Sequence, residues 1–138
     1  MNSPVTVDAS VFVSAFTPAE IAHQASKTFM LNLREQSIPI IVPVLVLPEI
    51  SAALSRGQDK PELGLAFVQE LRELPNTTFI DVDDNIATLA SEIAANHRLR
   101  GSDAVYAAVA LRFGAELITL DKEQLLRLPK VLSVRKPS

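Results

Sequence analysis

Short runs of β-branched and apolar residues alternate along the chain with longer stretches whose apolar positions recur every three or four residues. The short runs predict strands at residues 5–7, 40–42, 77–82, 116–120 and 131–134. The stretches between them have the period of amphipathic helices. This alternation is typical of an α/β domain with a mostly parallel sheet. No repeat or linker interrupts it, so we predict a single domain over residues 1–138.

Capping residues indicate where several helices begin and end. Thr17-Pro18-Ala19-Glu20 has the pattern of a capping box and predicts a helix from there to about Gln36. Gly57 is the expected left-handed stop of the helix that follows the second strand, and Ser102 is the expected N-cap of the helix over residues 103–113. The other predicted helices are a short turn at residues 9–16 and segments 61–74, 84–96 and 122–127.

The composition bounds the class of protein. A chain of 138 residues with 48% hydrophobic residues can bury a core without disulfide bonds or a structural metal to hold it together. It has no cysteine, which excludes disulfides, thiolate metal sites and a cysteine nucleophile. The longest apolar run, residues 38–47, contains two prolines and is too short to span a bilayer. The start, Met1-Asn2-Ser3-Pro4, lacks the pattern of a secretory signal. We therefore expect a cytoplasmic protein.

Charge is distributed unevenly along the chain. The formal net charge is −3, which argues against a surface covered with basic residues for non-specific nucleic-acid binding. Residues 1–96 carry a net charge of −7, whereas residues 97–138 carry +4. Chance variation on solvated faces is one explanation. The other is an acidic pocket approached from a basic C-terminal side.

Four acids hold positions that an α/β sheet would bring together. Asp8 and Asp121 each end an apolar run that is expected to be an interior parallel strand, and Glu49 and Asp103 begin helices. Each alone has an ordinary explanation as a turn, cap or helix-dipole residue. The carboxyl ends of parallel strands, however, share the edge where the following helices begin. We therefore expect the four carboxylates to converge there.

Carboxylates crowded at one site favour a cation. Like charges within about 4–6 Å raise one another's pKa, and a divalent ion removes that repulsion. Oxygen ligands alone favour Mg²⁺ or Mn²⁺ over zinc, and neither His23 nor His97 is spaced as part of a ligand pair. Such a site activates water and stabilises a transferring phosphoryl group, so we expect phosphodiester hydrolysis.

The ordered set of motifs resembles a PIN domain. The set comprises residues 7–10 (Val-Asp-Ala-Ser), Glu49 at the start of a helix, residues 102–104 (Ser-Asp-Ala) and residues 119–121 (Thr-Leu-Asp). Asp103 and Asp121 are 18 residues apart, which spans one helix and one strand. In size and motif order, the whole chain is similar to the single-domain VapC-type toxins.

The resemblance implies a three-layer α/β/α sandwich and a Mg²⁺- or Mn²⁺-dependent endoribonuclease that leaves a 5′-phosphate and a 3′-hydroxyl. It identifies Asp8, Glu49, Asp103 and Asp121 as the catalytic and metal-binding acids. It also makes Ser10 a helper hydroxyl in the pocket, together with Thr119. Lys122 and Glu123, which follow the last acid, replace the aromatic residue that many relatives have in that loop. The role of Asp121 is therefore the least well defined of the four.

Substrate and partner contacts are expected outside the acids. Arg98 and Arg100 precede Asp103 in a loop and could hold an RNA phosphate beside the metal, although basic residues in a solvated loop are equally ordinary. Lys122, Arg127 and Lys130 could extend that track. Tyr106 is expected to pack in the core, with base stacking as the alternative.

Apolar helix positions exceed what one small core is expected to need, and they include Ile21, Phe29, Leu63, Phe67 and Leu71. The ordinary explanation is that all of these side chains are buried in the hydrophobic core. The resemblance implies instead a homodimer interface and a groove for a cognate antitoxin, whose inserted arginine would occupy the acidic pocket.

Three other functions stay open or are weakly supported. The same fold could serve a housekeeping RNA-processing nuclease, or a degenerate PIN domain that binds protein or RNA without cutting. The complete set of acids argues against the second. A serine hydrolase built on Ser10 is poorly supported, because no G-x-S-x-G elbow occurs and no histidine is suitably positioned.

Overall fold

The structure, a computed structural model, describes residues 3–138. Residues 1 and 2, the start of the segment expected to lack a secretory signal, lie outside this range. Five parallel strands form one sheet in the order β3-β2-β1-β4-β5, which confirms the predicted α/β class. The strands are β1 (Val5–Val7), β2 (Ile40–Pro43), β3 (Thr77–Ile80), β4 (Glu116–Ile118) and β5 (Val134–Arg135). Strand β1 is central, as the position of Asp8 requires.

Helices cover the sheet and complete the α/β/α sandwich. Helix α6 lies against β1, β2 and β4 and packs against α5, while α1 packs against α2 and α3, and α3 against α4. The helices are α1 (Ala9–Phe16), α2 (His23–Glu35), α3 (Val46–Gln58), α4 (Pro61–Arg72), α5 (Asp84–His97), α6 (Gly101–Arg112) and α7 (Lys122–Arg127). Within residues 3–138, no helix is long and apolar enough to cross a membrane.

The predicted capping box at Thr17 is wrong. The apolar stretch after β1 forms the two-turn helix α1, and Thr17 ends that helix, with its Oγ1 donating a 2.7 Å hydrogen bond to the Val13 carbonyl. A turn follows, and α2 begins only at His23, whose Nδ1 lies 2.9 Å from the Ser14 carbonyl oxygen. Packing of α1 into the core therefore overrides the local capping signal.

Two further boundary predictions are also wrong. Gly57 lies inside α3, and the left-handed residue that ends this helix is Asp59, with φ 52°. Short polar side chains such as aspartate tolerate this conformation better than most residues. Ser102 lies inside α6, whose N-cap is Arg100. The predicted stop at Gly114 is confirmed, with φ 64°.

Small residues bring α6 close to the sheet. Four alanines of this helix are completely inaccessible to solvent: Ala104, Ala107, Ala108 and Ala110. Val7 of β1 and Leu117 of β4 are equally inaccessible. The short side chains of the alanines allow the helix axis to approach the strands closely. Because Asp103 directly precedes the first of these alanines, the same packing fixes its carboxylate at the edge of the sheet.

Candidate metal centre

The structure brings the four predicted acids to one pocket. Asp8 follows β1 and is the N-cap of α1, and Asp121 is the N-cap of α7. Glu49 and Asp103 lie in the first turns of α3 and α6. All four line an open cavity of about 370 Å³. The parallel sheet explains this convergence, because β1, β2 and β4 end at the same edge.

Asp8 is buried at the bottom of the pocket, with only 6% of the residue exposed, the same fraction as for Asp103. Its Oδ2 accepts a 2.9 Å hydrogen bond from the Ser10 amide, and its Oδ1 accepts one of 3.4 Å from Gln124 Nε2. Burial raises the pKa of Asp8 despite these hydrogen bonds, and the negative charge of Asp121 raises it further. The fold thus disfavours the charged form of this carboxylate.

Glu49 is anchored by a buried tyrosine. Tyr106 Oη donates a 2.6 Å hydrogen bond to Glu49 Oε1. Burial raises the pKa of Glu49, the bond from Tyr106 lowers it, and the charges of Asp8 and Asp103 raise it. Tyr106 is 1% exposed, which confirms the expected core packing and leaves no ring face for a base. No local pattern indicated that its hydroxyl would reach a helix 57 residues earlier.

Arg100 bridges the remaining two acids. Its Nε lies 3.1 Å from Asp103 Oδ2, and its Nη2 lies 3.4 Å from Asp121 Oδ2. Burial raises the pKa of Asp103, and the hydrogen bond from Arg100 opposes that shift. The Arg100 side chain is 75% exposed, so it covers these acids from the solvent side.

The predicted helper hydroxyls shape the loop that carries Asp121. Ser10 Oγ accepts a 3.1 Å hydrogen bond from the Leu120 amide. Thr119 Oγ1 accepts one of 3.0 Å from the Asp121 amide and donates to Gln124 Oε1. Both hydroxyls therefore join the end of β4 to the neighbouring helices.

Gln124 is a site residue that was not predicted from the sequence. It is completely buried, and its Nε2 donates to Asp8 Oδ1 and, at 3.3 Å, to the Asp103 carbonyl. One side chain thus connects two of the acids and Thr119. A signal was present, since Gln124 lies one turn before buried Leu128 and so shares the core face of α7.

A fifth acid also lines the pocket. Glu20 lies in the turn between α1 and α2 and reaches the same cavity as Asp8. The sequence interpretation assigned it to the capping box at Thr17, and that error hid its position. With Glu20, the cavity lining contains five carboxylates and a single cation, Arg100.

The two arginines predicted to bind substrate together are separated. Arg100 lines the acidic cavity, whereas Arg98 lines a second cavity on the other side of the loop. His97, Arg127 and Lys130 line that second cavity with Arg98. The left-handed backbone of Arg98, with φ 55°, turns the chain at the end of α5 and directs the two side chains apart.

The donor set fits a hard divalent cation. All the charged donors are carboxylate oxygens, which suit Mg²⁺ or Mn²⁺. As positioned in the described part of the chain, no three acidic or histidine side chains approach closely enough to hold an ion. The Arg100 guanidinium lies between Asp103 and Asp121, where a cation shared by them would bind. Because Arg100 is exposed, it can leave without disturbing the core.

The chain matches one known family. The PIN domain family matches residues 5–131, which is nearly the whole chain. No curated protein matches the sequence.

Several solved structures have the same fold at low sequence identity. The DNA-bound VapBC complex from Salmonella typhimurium contains a chain 17% identical with a TM-score of 0.71, and the match covers 100% of both chains. VapC20 of Mycobacterium tuberculosis, described as a sarcin-ricin loop cleaving toxin, is 19% identical with a TM-score of 0.70 over 86% of this chain and 90% of that one. FitAcB from Neisseria gonorrhoeae is 17% identical with a TM-score of 0.71, covering 96% of this chain and 97% of that one.

Proposed function

Because the chain belongs to the PIN domain family, we propose that it is a Mg²⁺- or Mn²⁺-dependent endoribonuclease that acts as the toxin of a toxin–antitoxin pair. One observation carries this proposal: Asp8, Glu49, Asp103 and Asp121 come from four different elements and line one cavity at the carboxyl edge of the sheet. Burial and mutual repulsion raise the pKa of the first three, and a bound cation would relieve that cost.

Asp8 and Asp103 are the primary ligands in this proposal, because they are the most buried of the four acids and α1 and α6 fix their backbones. Glu49 and Asp121 complete the set. A divalent ion held there supplies an activated water and neutralises the charge that develops on the phosphate. The chain itself orients the acids, excludes bulk water from one side of the site, and supplies the exposed cation of Arg100.

Tyr106 and Gln124 orient the acids. Tyr106 occupies Glu49 Oε1, so that Oε2 remains available to a metal or to a water. Gln124 holds Asp8 through Oδ1, and the Ser10 side chain also hydrogen-bonds this carboxylate. Supporting hydrogen bonds of this kind fix ligand orientation and strengthen metal sites.

Arg100 changes partners in the proposed reaction. Without metal it neutralises Asp103 and Asp121. If Asp103 and Asp121 held a divalent cation, the exposed guanidinium would be free to donate two parallel hydrogen bonds to two oxygens of an RNA phosphate beside the cavity. The products are a 5′-phosphate and a 3′-hydroxyl.

The proposed antitoxin has a surface to bind. Ile21 is fully exposed, and an apolar cavity of about 170 Å³ is lined by Phe12, Phe16 and Phe67 among others. Phe29 and Leu71, by contrast, are buried in the core, as the ordinary explanation of these apolar positions predicts. The related structures from Salmonella typhimurium and Klebsiella pneumoniae are toxin–antitoxin complexes, which supports a protein partner here. A homodimer remains a prediction.

RNA cleavage tests the proposal. Purified protein, free of any partner and supplied with Mn²⁺, is incubated with total RNA from its host, and the new 5′-phosphate ends are sequenced. We expect discrete cleavage sites that disappear with EDTA and with Asp103→Asn, which keeps the shape of the side chain. No cleavage by the wild type, or equal cleavage by the variant, would contradict the proposal.

A growth experiment separates a toxin from a housekeeping nuclease of the same chemistry. Induced expression in the host should stop growth for the wild type and leave it unchanged for Asp103→Asn. A housekeeping enzyme would leave growth unaffected in both cases.

A further inference from the structure

A basic cleft separate from the acidic cavity contains three of the basic residues considered from the sequence for an RNA track, Arg98, Arg127 and Lys130. It has a volume of about 390 Å³ and lies between the end of α5 and the end of α7. His97, Arg98, Arg127 and Lys130 line it, and no acidic side chain does. Every charge in the lining is therefore positive.

The cations of this cleft are largely unneutralised. Arg127 pairs with Glu123 one turn earlier on α7, an exposed ion pair of a kind that contributes little. Within residues 3–138, the side chains of Arg98 and Lys130 form no ion pair or hydrogen bond. Arg98 also occupies a left-handed position where glycine is the residue that stability favours.

Two segments connect the cleft to the acidic cavity, and both are short. Arg98 and Arg100 are separated by one residue, so their Cα atoms are at most about 7 Å apart. Asp121, the N-cap of helix α7, lies in the acidic cavity, and α7 ends at Arg127 in the cleft. The six residues of this helix span about 9 Å. The two cavities are therefore about one or two nucleotides apart along an RNA strand.

The acidic cavity creates a need for such a cleft. An RNA strand is a polyanion, and the cavity where it is to be cut is lined by five carboxylates. Even with a divalent ion bound, those acids repel the phosphates that flank the scissile bond. Cations outside the cavity must supply the attraction, and phosphate contacts of this kind position a strand without reading its sequence.

We propose that the cleft formed by His97, Arg98, Arg127 and Lys130 binds the backbone phosphates of the RNA strand next to the cleavage site. This inference rests on the proposed nuclease function. It assigns Arg98 and Lys130 to strand binding and leaves metal binding to the acidic cavity. Sequence-independent affinity for RNA then depends on the cleft, whereas the chemistry depends on the acids.

The test compares Arg98→Gly/Lys130→Ala with a charge-matched control, Ser37→Gly/Arg34→Ala/Arg72→Ala. Arg98→Gly removes a cation and supplies the residue that best tolerates the left-handed backbone, so loss of folding does not confound the result. Ser37→Gly makes the same backbone change after α2, where φ is 54°, and Arg34→Ala and Arg72→Ala remove two exposed cations from α2 and α4. Binding of a fluorescein-labelled single-stranded RNA is followed by anisotropy in EDTA at several salt concentrations.

Each phosphate contact on a single strand contributes about −0.7 to the slope of log K against log salt. We expect the cleft variant to bind RNA at least tenfold more weakly and to lose about 1.4 from the magnitude of that slope. The control should match the wild type. An unchanged affinity and slope in the cleft variant would overturn the inference.

Cleavage and metal binding separate this inference from the proposed function. If the wild type cuts RNA with Mn²⁺, the cleft variant should bind Mn²⁺ with unchanged affinity and show a raised KM with a nearly unchanged kcat. If the wild type cuts RNA and the cleft variant has the same KM and kcat, the proposed role of the cleft is wrong, whereas the proposed nuclease function stands. A wild type that binds RNA through the cleft but never cuts it would support the cleft and contradict the nuclease.

Discussion

The Tyr106 hydroxyl donates a 2.6 Å hydrogen bond to Glu49 Oε1 and so joins helix α6, which carries Asp103, to helix α3. This contact crosses 57 residues of sequence and places two of the four acids in a fixed relationship. Tyr106 is almost completely buried, and its pKa is raised by burial and by the nearby charge of Asp8, so its hydroxyl remains a donor at any relevant pH.

Tyr106→Phe removes this bond and keeps the ring in the core. We expect the free energy of unfolding to fall by about 1 kcal/mol, the usual net contribution of one hydrogen bond. The pKa of Glu49 should rise, because the bond from Tyr106 lowers it in the wild type. Carbon-13 NMR of the Glu49 carboxyl group in metal-free protein measures that shift. RNA cleavage should fall roughly tenfold, and an unchanged Glu49 titration would contradict the assignment.

The metal-free protein should become less stable as pH rises above the ordinary carboxyl range. Burial raises the pKa of Asp8, Glu49 and Asp103, so the folded state binds more protons than the unfolded state between the ordinary and the raised values. Stability contributed by these groups is therefore lost as pH rises through that window and stays lost above it.

Asp8→Asn isolates one part of this effect. Asparagine keeps the helix cap and the acceptor for Gln124 but cannot ionise. In EDTA at neutral pH, we expect the melting temperature of the variant to exceed that of the wild type by a few degrees, and the difference to disappear near pH 3. Scanning calorimetry measures it. A wild type that is more stable than the variant at neutral pH without metal would contradict the account.

Arg100→Ala should strengthen metal binding while it weakens cleavage. In the wild type, a cation must displace the guanidinium from Asp103 and Asp121. Removing Arg100 should therefore increase Mn²⁺ affinity several-fold by titration calorimetry, and the loss of a phosphate contact should lower kcat/KM. Arg98→Ala is the matched control, since Arg98 faces the basic cleft and should leave Mn²⁺ affinity unchanged. Weaker Mn²⁺ binding in Arg100→Ala would be the opposite of what we expect.

Gln124→Met tests the buried hydrogen bonds that Gln124 makes with Asp8, Asp103 and Thr119. The substitution nearly preserves volume but leaves the Thr119 hydroxyl and the Asp103 carbonyl without their partner, which should cost about 2–3 kcal/mol. Gln69→Met on exposed α4 loses only a bond to Glu73 and should change stability by less than about 0.5 kcal/mol. Urea denaturation measures both. Equal losses of stability from the two substitutions would contradict a supporting role of Gln124 at the site.

Features that depend on local patterns were predictable from the sequence. The apolar run before Asp8 and the run before Asp121 predicted interior strands, and parallel order then required both acids to lie at one edge. Glu49 and Asp103 at helix starts followed from the same rule. The family resemblance to PIN domains is confirmed over residues 5–131.

Features that depend on long-range packing were not predictable. Gln124 contacts Asp8 across 116 residues and Tyr106 contacts Glu49 across 57, and no local pattern encodes either pair. The capping box at Thr17 failed because α1 packs into the core and uses Thr17 as its end. Arg98 and Arg100 were expected to act together, but the left-handed turn at Arg98 separates them.

Binding of Mn²⁺ measured by electron paramagnetic resonance, in parallel with RNA cleavage, tests the central claim most directly. We predict that the wild type binds Mn²⁺ and cuts RNA, and that Asp103→Asn loses both while its melting temperature in EDTA does not fall. Cleavage that persists in EDTA, or an Asp103→Asn protein that still binds Mn²⁺ and cuts RNA as the wild type does, would contradict it.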